Sequence, residues 1–255
     1  MEYRDVWKAF EAPVLSGVTL TVHDGETVSI VGTSGVGKSV LLKTTIGLLR
    51  PERGDVRIDG QSVVTARREQ LEAIRRKVGY VFQYAALFDS MTILENVAEG
   101  LPEDTLRSLS PREVTQRVCQ ALEEVNLDPR EVLTKLPAEL SGGMRKRVGV
   151  ARAIIGRPGI VLYDEPVTGL DPVNSATIGR LIVKIGRTHN VTSVIVTHDI
   201  EGALEISDRI ALLDRGRVHF VGDAEAFRAS REPLVRAFVD RRAAAETSLR
   251  LLERS

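Results

Sequence analysis

The 255-residue sequence predicts an α/β protein: a mostly parallel sheet covered by helices, an antiparallel β subdomain beside it, and a helical subdomain inserted into it. Three observations predict this. Short apolar runs of strand length (ETVSIVG, KVGYVFQ, GIVLYDEP, TSVIVTHD and RIALLD) alternate with helical patterns such as VLLKTTIGLL and the periodic stretch from Val173 to Gly186. That alternation is what βαβ units produce. By contrast, VLSGVTLTVHDGE and GDVRIDG alternate apolar with polar residues and end in Asp-Gly turns, as antiparallel strands with one face on a core do. From about Met91 to Pro158 the strand signal disappears and helical stretches follow one another.

In chain order, a strand is expected at Thr27 to Val31, followed by a helix opening at Lys38. Another strand is expected at Val78 to Phe82, then helices over TILENVAEGL, over Pro111 to Val125 behind a Ser110 cap, and over SGGMRKRVGVARAI. The apolar run Ile160 to Tyr163 and the stretch Val191 to Thr197 return to strand, and the arginine-rich end with Leu234, Val235, Phe238, Leu249, Leu251 and Leu252 reads as amphipathic helix. The organisation expected is one unit over 1–238, with a core over about 1–90 and 158–230, a helical lobe over about 91–157, and a helical tail over 239–255.

With 35 basic and 35 acidic residues the chain carries no net field of the kind that draws a protein onto nucleic acid, and no nucleic-acid partner is expected. No apolar run approaches the ~20 residues a membrane-spanning helix needs, so work at a membrane would go through another subunit. The mixed, charged start MEYRDVWKAF does not read as a secretory signal and predicts a chain that stays in the cytosol. The single cysteine, Cys119, is expected to be a small buried helix residue.

The chemistry starts at Gly32-Thr33-Ser34-Gly35-Val36-Gly37-Lys38-Ser39, which fits G-x-x-x-x-G-K-[ST] between a strand and a helix. The glycines let consecutive backbone N–H groups turn inward on phosphate oxygens, and the helix N-terminus adds partial positive charge. Lys38 is placed to neutralise the β- and γ-phosphates, and Ser39 to hold Mg²⁺. The core is therefore expected to be of the P-loop, RecA-like type. The strand IVLYD ends in two carboxylates: Asp164, placed to reach Mg²⁺, and Glu165, placed to polarise the water that attacks the γ-phosphate. The implied ligands are ATP and Mg²⁺.

Leu140-Ser141-Gly142-Gly143-Met144, ahead of the basic helix Arg145 to Ala153, resembles the signature motif of ABC ATPases. A Ser-Gly-Gly at a helix N-terminus is itself an anion site. In that family it closes over ATP held by a second copy, so the resemblance implies a homodimer. It covers about Tyr3 to Phe238 and implies further roles: Phe10 stacking on adenine, with Trp7 or a plain core contact as the competing reading; Gln83 contacting Mg²⁺ or water; Gly169-Leu170-Asp171 crossing to the partner; and His198 contacting the γ-phosphate. Met144 stands where glutamine is most usual, Thr33 where proline is frequent and Val167 where threonine is.

The segment Phe82-Gln83-Tyr84-Ala-Ala-Leu87-Phe88-Asp-Ser-Met91 and Arg236-Ala-Phe-Val-Asp240 also resemble the ATPases of the Mla/MCE phospholipid-transport systems. That resemblance implies an integral membrane permease as partner, a small STAS-domain protein and a periplasmic MCE lipid-binding protein beside it, and a place on the cytoplasmic face of the inner membrane. Tyr84, Leu87 and Phe88 would form the apolar floor of a groove for a permease helix. An importer for amino acids or other small solutes would share every catalytic landmark. The run Arg145-Lys146-Arg147 reads equally well as a solvated helix face.

Overall fold

The structure, a computed structural model, describes residues 1–239. The chain opens with β1 (Glu2–Ala9) and β2 (Pro13–Thr21), which pair antiparallel, and β3 (Thr27–Val31), which starts the main sheet. After α1 (Lys38–Thr45) come β4 (Arg53–Ile58) and the two-residue β5 (Gln61–Ser62), joined through Asp59 and Gly60, both at positive φ. The small sheet runs β2-β1-β4-β5 and is antiparallel throughout.

The first strand escapes the sequence pattern for a local reason. Asp5 takes a left-handed backbone (φ 50) and the register slips between Tyr3 and Val6, so the buried side chains fall three residues apart instead of two. Tyr3 is fully buried, and its hydroxyl meets Thr45 Oγ1 at 2.6 Å, which fastens the small sheet to α1.

Helix α2 (Arg68–Arg76) leads to β6 (Val78–Val81). Among the described residues, the stretch between β6 and β7 (Ile160–Asp164) contains no strand. It holds α3 (Ile93–Ala98), α4 (Glu103–Ser108), α5 (Pro111–Glu124), α6 (Pro129–Val132), a 3₁₀ turn at Pro137–Glu139, and α7 (Gly142–Ile154). Two of these helices start at capping boxes, Thr92 with Glu95 and Ser110 with Glu113. Then follow α8 (Pro172–His189), β8 (Thr192–Thr197), α9 (Ile200–Ile206), β9 (Arg209–Asp214), β10 (Arg217–Gly222) and α10 (Ala224–Ala229). The main sheet runs β10-β9-β3-β8-β7-β6, parallel from β9 to β6 with β10 antiparallel at the edge. Every residue of β3, β7 and β8 is buried, the reason they read as continuous apolar runs.

The helical segment does not have a core of its own. Ile93, Val97, Val118, Leu122 and Val148 belong to one apolar cluster with Val161 and Tyr163 of β7 and Ile178 and Leu181 of α8. Leu122→Ala is expected to destabilise the whole protein by about 2–5 kcal/mol, read as one shifted transition in denaturant unfolding. Cys119 is only half-buried on α5, contrary to the sequence expectation, because the buried face of that helix passes through its neighbours Val118 and Leu122. Residues 233–239 are helical, and Val235 is buried with Phe227 and Leu204. The rest of the expected tail lies outside the described residues.

Candidate active site

The phosphate loop is shaped by the chain that surrounds it. A Cβ at Gly32 would stand 2.3 Å from the Leu213 carbonyl oxygen of β9, so only glycine lets β3 leave the sheet there. Gly37 sits at φ 106 as the N-cap of α1, offers no side-chain cap, and is followed by a first turn without an acidic residue. The N–H groups of that turn are left for an anion. Lys38 curls back over the loop, donating to the carbonyls of Gly32 (2.9 Å) and Thr33 (3.1 Å) and facing Glu165 Oε1 at 3.4 Å. A cavity of about 330 Å³ lies in front of these groups, bounded by Ser34, Gly35, Gly37, Lys38, Ser39 and Val40 and by Val14, Gln83 and Glu165. A larger cavity, about 510 Å³, opens between α8 and α9, but the smaller one holds the buried lysine–carboxylate pair, and chemistry identifies the site.

The carboxylates arrive from the end of β7. Asp164 Oδ1 accepts from Ser39 Oγ at 2.6 Å, and Oδ2 accepts from the Tyr80 hydroxyl at 3.0 Å. Burial and the neighbouring Asp164 charge push the Tyr80 phenol far above its ordinary pKa, so it remains a neutral donor. Glu165 has a left-handed backbone (φ 49), a conformation that costs a non-glycine residue about 1–3 kcal/mol and is held only where surroundings enforce it. Here its N–H is bonded to the Val196 carbonyl at 2.9 Å. Its Oε2 accepts from Thr168 Oγ1 (3.2 Å) and from the His198 backbone N–H (3.4 Å), and it lies 2.7 Å from His198 Nδ1. The His198 side chain is about half exposed, at 53%.

Lys146 is not on a solvated face. It is 7% exposed, and its ammonium donates to the carbonyls of Gln83 and Glu165, the latter at 3.3 Å. Burial lowers its pKa, against the opposing pull of the Glu165 and Asp164 charges. Of its neighbours, Arg145 is exposed and donates to the Leu140 carbonyl at 2.7 Å, while Arg147 reaches the Asn126 carbonyl at 2.8 Å.

The structure brings Lys38, Ser39, Gln83, Asp164, Glu165 and His198 together, directly at the cavity or one hydrogen bond from it. It leaves other expected residues outside. Phe10 is 59% exposed in the turn after β1, with the Lys8 ammonium 5.2 Å from its ring, and does not line the cavity; Val14 does. Trp7 is engaged elsewhere, donating to Asp5 Oδ1 at 2.7 Å. Ser141, Gly142 and Gly143 likewise do not line it. Ser141 is the N-cap of α7, and its hydroxyl accepts from the Met144 N–H at 3.3 Å instead of standing free. Gly143 packs so closely on α8 that a Cβ there would meet Asn174 Oδ1 at 2.7 Å. Asn174 in turn bonds both oxygens of Asp171, the α8 cap, at 3.0 and 2.5 Å.

Tyr84 (82% exposed) and Phe88 stand in solvent, while Leu87 packs against the helical cluster. Sequence reasoning missed what holds this segment. Asn96 is fully buried on α3, accepts from the Phe88 N–H at 2.7 Å, and donates to the carbonyls of Phe88, Met91 and Thr92. The signal was a polar residue on the apolar face of the helix Ile93–Ala98.

Residues 15–168 match the ABC transporter family model. Over 243 residues the chain is 42% identical to the probable ribonucleotide transport ATP-binding protein mkl of Mycobacterium tuberculosis, an alignment covering 95% of this chain and 67% of that protein. It is 36% identical to the methionine import ATP-binding protein MetN 1 of Pseudomonas putida, covering 94% and 72%. Its identity to the intermembrane phospholipid transport system ATP-binding protein MlaF of Escherichia coli is 35%, covering 89% and 83%. Among solved structures it superposes with a TM-score of 0.78, at 35% identity, on the dimeric ATP-binding cassette MJ0796 in a post-hydrolysis state with ADP and Pi, covering 88% of this chain and 98% of that one. The chain belongs to the ABC transporter family, as an ATP-binding and ATP-hydrolysing subunit.

Proposed function

We propose that two copies of this chain close on two ATP molecules and drive a phospholipid permease in the inner membrane of a bacterial envelope, with hydrolysis reopening the pair. The observation that carries the ATPase chemistry is the chain of contacts Ser39–Asp164 and Lys38–Glu165–His198 around one phosphate-sized loop. In this reading Gly32 to Ser39 cradle the phosphates, with Lys38 on the β- and γ-phosphates. Glu165 takes the proton of the attacking water, and Gln83 and His198 orient water and γ-phosphate. Ser141, Gly142 and Gly143 complete the partner's site, and Phe10 offers its exposed ring to the adenine.

The oxygen donors fit Mg²⁺. Ser39 Oγ and an Asp164 carboxylate oxygen lie 2.6 Å apart beside the loop, and Gln83 also lines the cavity. Among the described residues no group of three or more His, Cys, Asp or Glu could hold a metal alone, which suits an ion that takes one carboxylate, a hydroxyl and the nucleotide's own phosphates. When bound it would neutralise charge on the β- and γ-phosphates.

Attachment to a membrane would be peripheral: no described helix is long and apolar enough to cross one. The residues about 91–157 would act as the lobe that meets the permease, through Tyr84 and Phe88 at its base, and a STAS-domain protein and a periplasmic MCE protein would complete the assembly. Phospholipid as cargo is supported by the likeness to MlaF. The likeness to MetN 1 favours a second reading, an importer of small solutes. Isolating the intact membrane complex and identifying its subunits and bound lipid by mass spectrometry separates the two. Bound phospholipid is expected; a lipid-free complex that needs a soluble solute-binding protein would replace the first reading with the second.

A further inference from the structure

One face of α7 grips the segment after β6. Lys146, Gly149 and Arg152 recur every three residues and so share a side of the helix. Lys146 donates to the Gln83 carbonyl. A Cβ at Gly149 would lie 3.2 Å from Ala85 Cβ, so the helix backbone rests against the segment itself. Arg152 donates to the carbonyls of Ala85 (2.5 Å) and Ala86 (2.7 Å), both residues at positive φ. Three of the four carbonyls from Gln83 to Ala86 therefore point at one helix face. Lys146 alone of these residues also reaches the end of the neighbouring strand β7, at the Glu165 carbonyl, 3.3 Å away. The Glu165 backbone, like those of Ala85 and Ala86, is left-handed and needs such external support.

We propose that Lys146 is a positioning residue for hydrolysis: it locks the backbones of Gln83 and Glu165 into one frame with α7, the helix whose N-terminus is Ser141-Gly142-Gly143. The proposal rests on the roles given above to Glu165 and Gln83. A buried ammonium shared by two carbonyls, one just past β6 and one just past the neighbouring β7, fixes the separation of the two strand ends, as two separate bonds to water would not. Because α7 starts at the surface offered to the second copy, displacement of that surface is felt at both Gln83 and Glu165. Tyr84, next in the chain to Gln83, moves with them.

The test is steady-state ATP turnover by the chain with its membrane partner, comparing Lys146→Met, Lys146→Arg and Glu165→Gln alongside thermal unfolding. Lys146→Met keeps an unbranched apolar stem one atom shorter but donates nothing, and is expected to lower kcat at least about tenfold with KM for ATP within about twofold of wild type. Lys146→Arg, whose fork can serve two carbonyls, is expected to recover most of the loss. An unchanged kcat in Lys146→Met overturns the proposal. So does a loss that Arg does not recover while both variants melt at the wild-type temperature, and so does a loss that follows a lowered melting temperature in both. The Glu165→Gln arm keeps the two claims apart. Undiminished turnover there defeats the role of Glu165, whereas an inert Glu165→Gln beside a fully active Lys146→Met defeats the Lys146 proposal alone.

Discussion

Glu165→Gln is expected to lower ATP turnover by roughly 10²–10⁴-fold, the usual worth of a positioned general base, while ATP still binds. The change is nearly isosteric. A glutamine can keep the contact to Thr168, the backbone bond to Val196 and the Lys146 donation to the carbonyl, because none of these needs the charge. What goes is the proton acceptor beside His198 and the negative partner of Lys38. With its carboxylate partner neutralised, Lys38 keeps its bonds to the Gly32 and Thr33 carbonyls and has no competing anion for the γ-phosphate, so the ATP-bound pair should persist. Size-exclusion chromatography with ATP should show a stable dimer in the variant and a transient one in the wild type. Turnover at the wild-type rate would remove Glu165 from the mechanism.

Gly142→Asp is expected to reduce turnover about 10²–10³-fold, comparable to losing a donor aimed at developing charge, without weakening ATP binding to the single chain. The position has room: a Cβ there meets only Leu170 Cδ2, at 3.8 Å. An acid in the first turn of α7 also suits the helix dipole, so the fold should tolerate it. The same charge would repel a phosphate brought by a second copy. The cavity formed within one chain is bounded by none of Ser141, Gly142 or Gly143, so equilibrium binding of a fluorescent ATP analogue should be unchanged. Mixing this variant with Lys38→Met makes the point sharper. Each alone should turn over only slowly, yet the mixture should be faster than either, because a mixed pair holds one site with an intact loop from one copy and an intact Ser-Gly-Gly from the other. A mixture as slow as its components would refute the shared site.

The phosphate loop was legible because its requirements are local: a buried strand ending at Val31, glycines where backbone crowds, and a helix starting at Lys38. The carboxylates at the end of β7 were legible for the same reason. Strand β1 was not, since the left-handed Asp5 breaks the alternation that marks a strand. Strand β10 was passed over because it lies at the sheet edge, with side chains alternating between exposed and half-buried, so its apolar contrast is weak. Lys146 shows a different limit. Its partners are backbone carbonyls 63 and 19 residues away, and a carbonyl leaves no trace in residue identity. Phe10 was placed by likeness to a family, and its present setting depends on how one exposed turn is folded.

Asn174 gives the starts of α7 and α8 a common tolerance. Its amide braces Asp171, while its oxygen stands where any side chain added at Gly143 would need to go. Positions 143 and 174 are thus two halves of a single steric allowance: an alanine at the first requires a smaller or turned side chain at the second, which then leaves Asp171 with only its backbone bond. A library randomising both positions is expected to show the residue accepted at one depending on the residue present at the other.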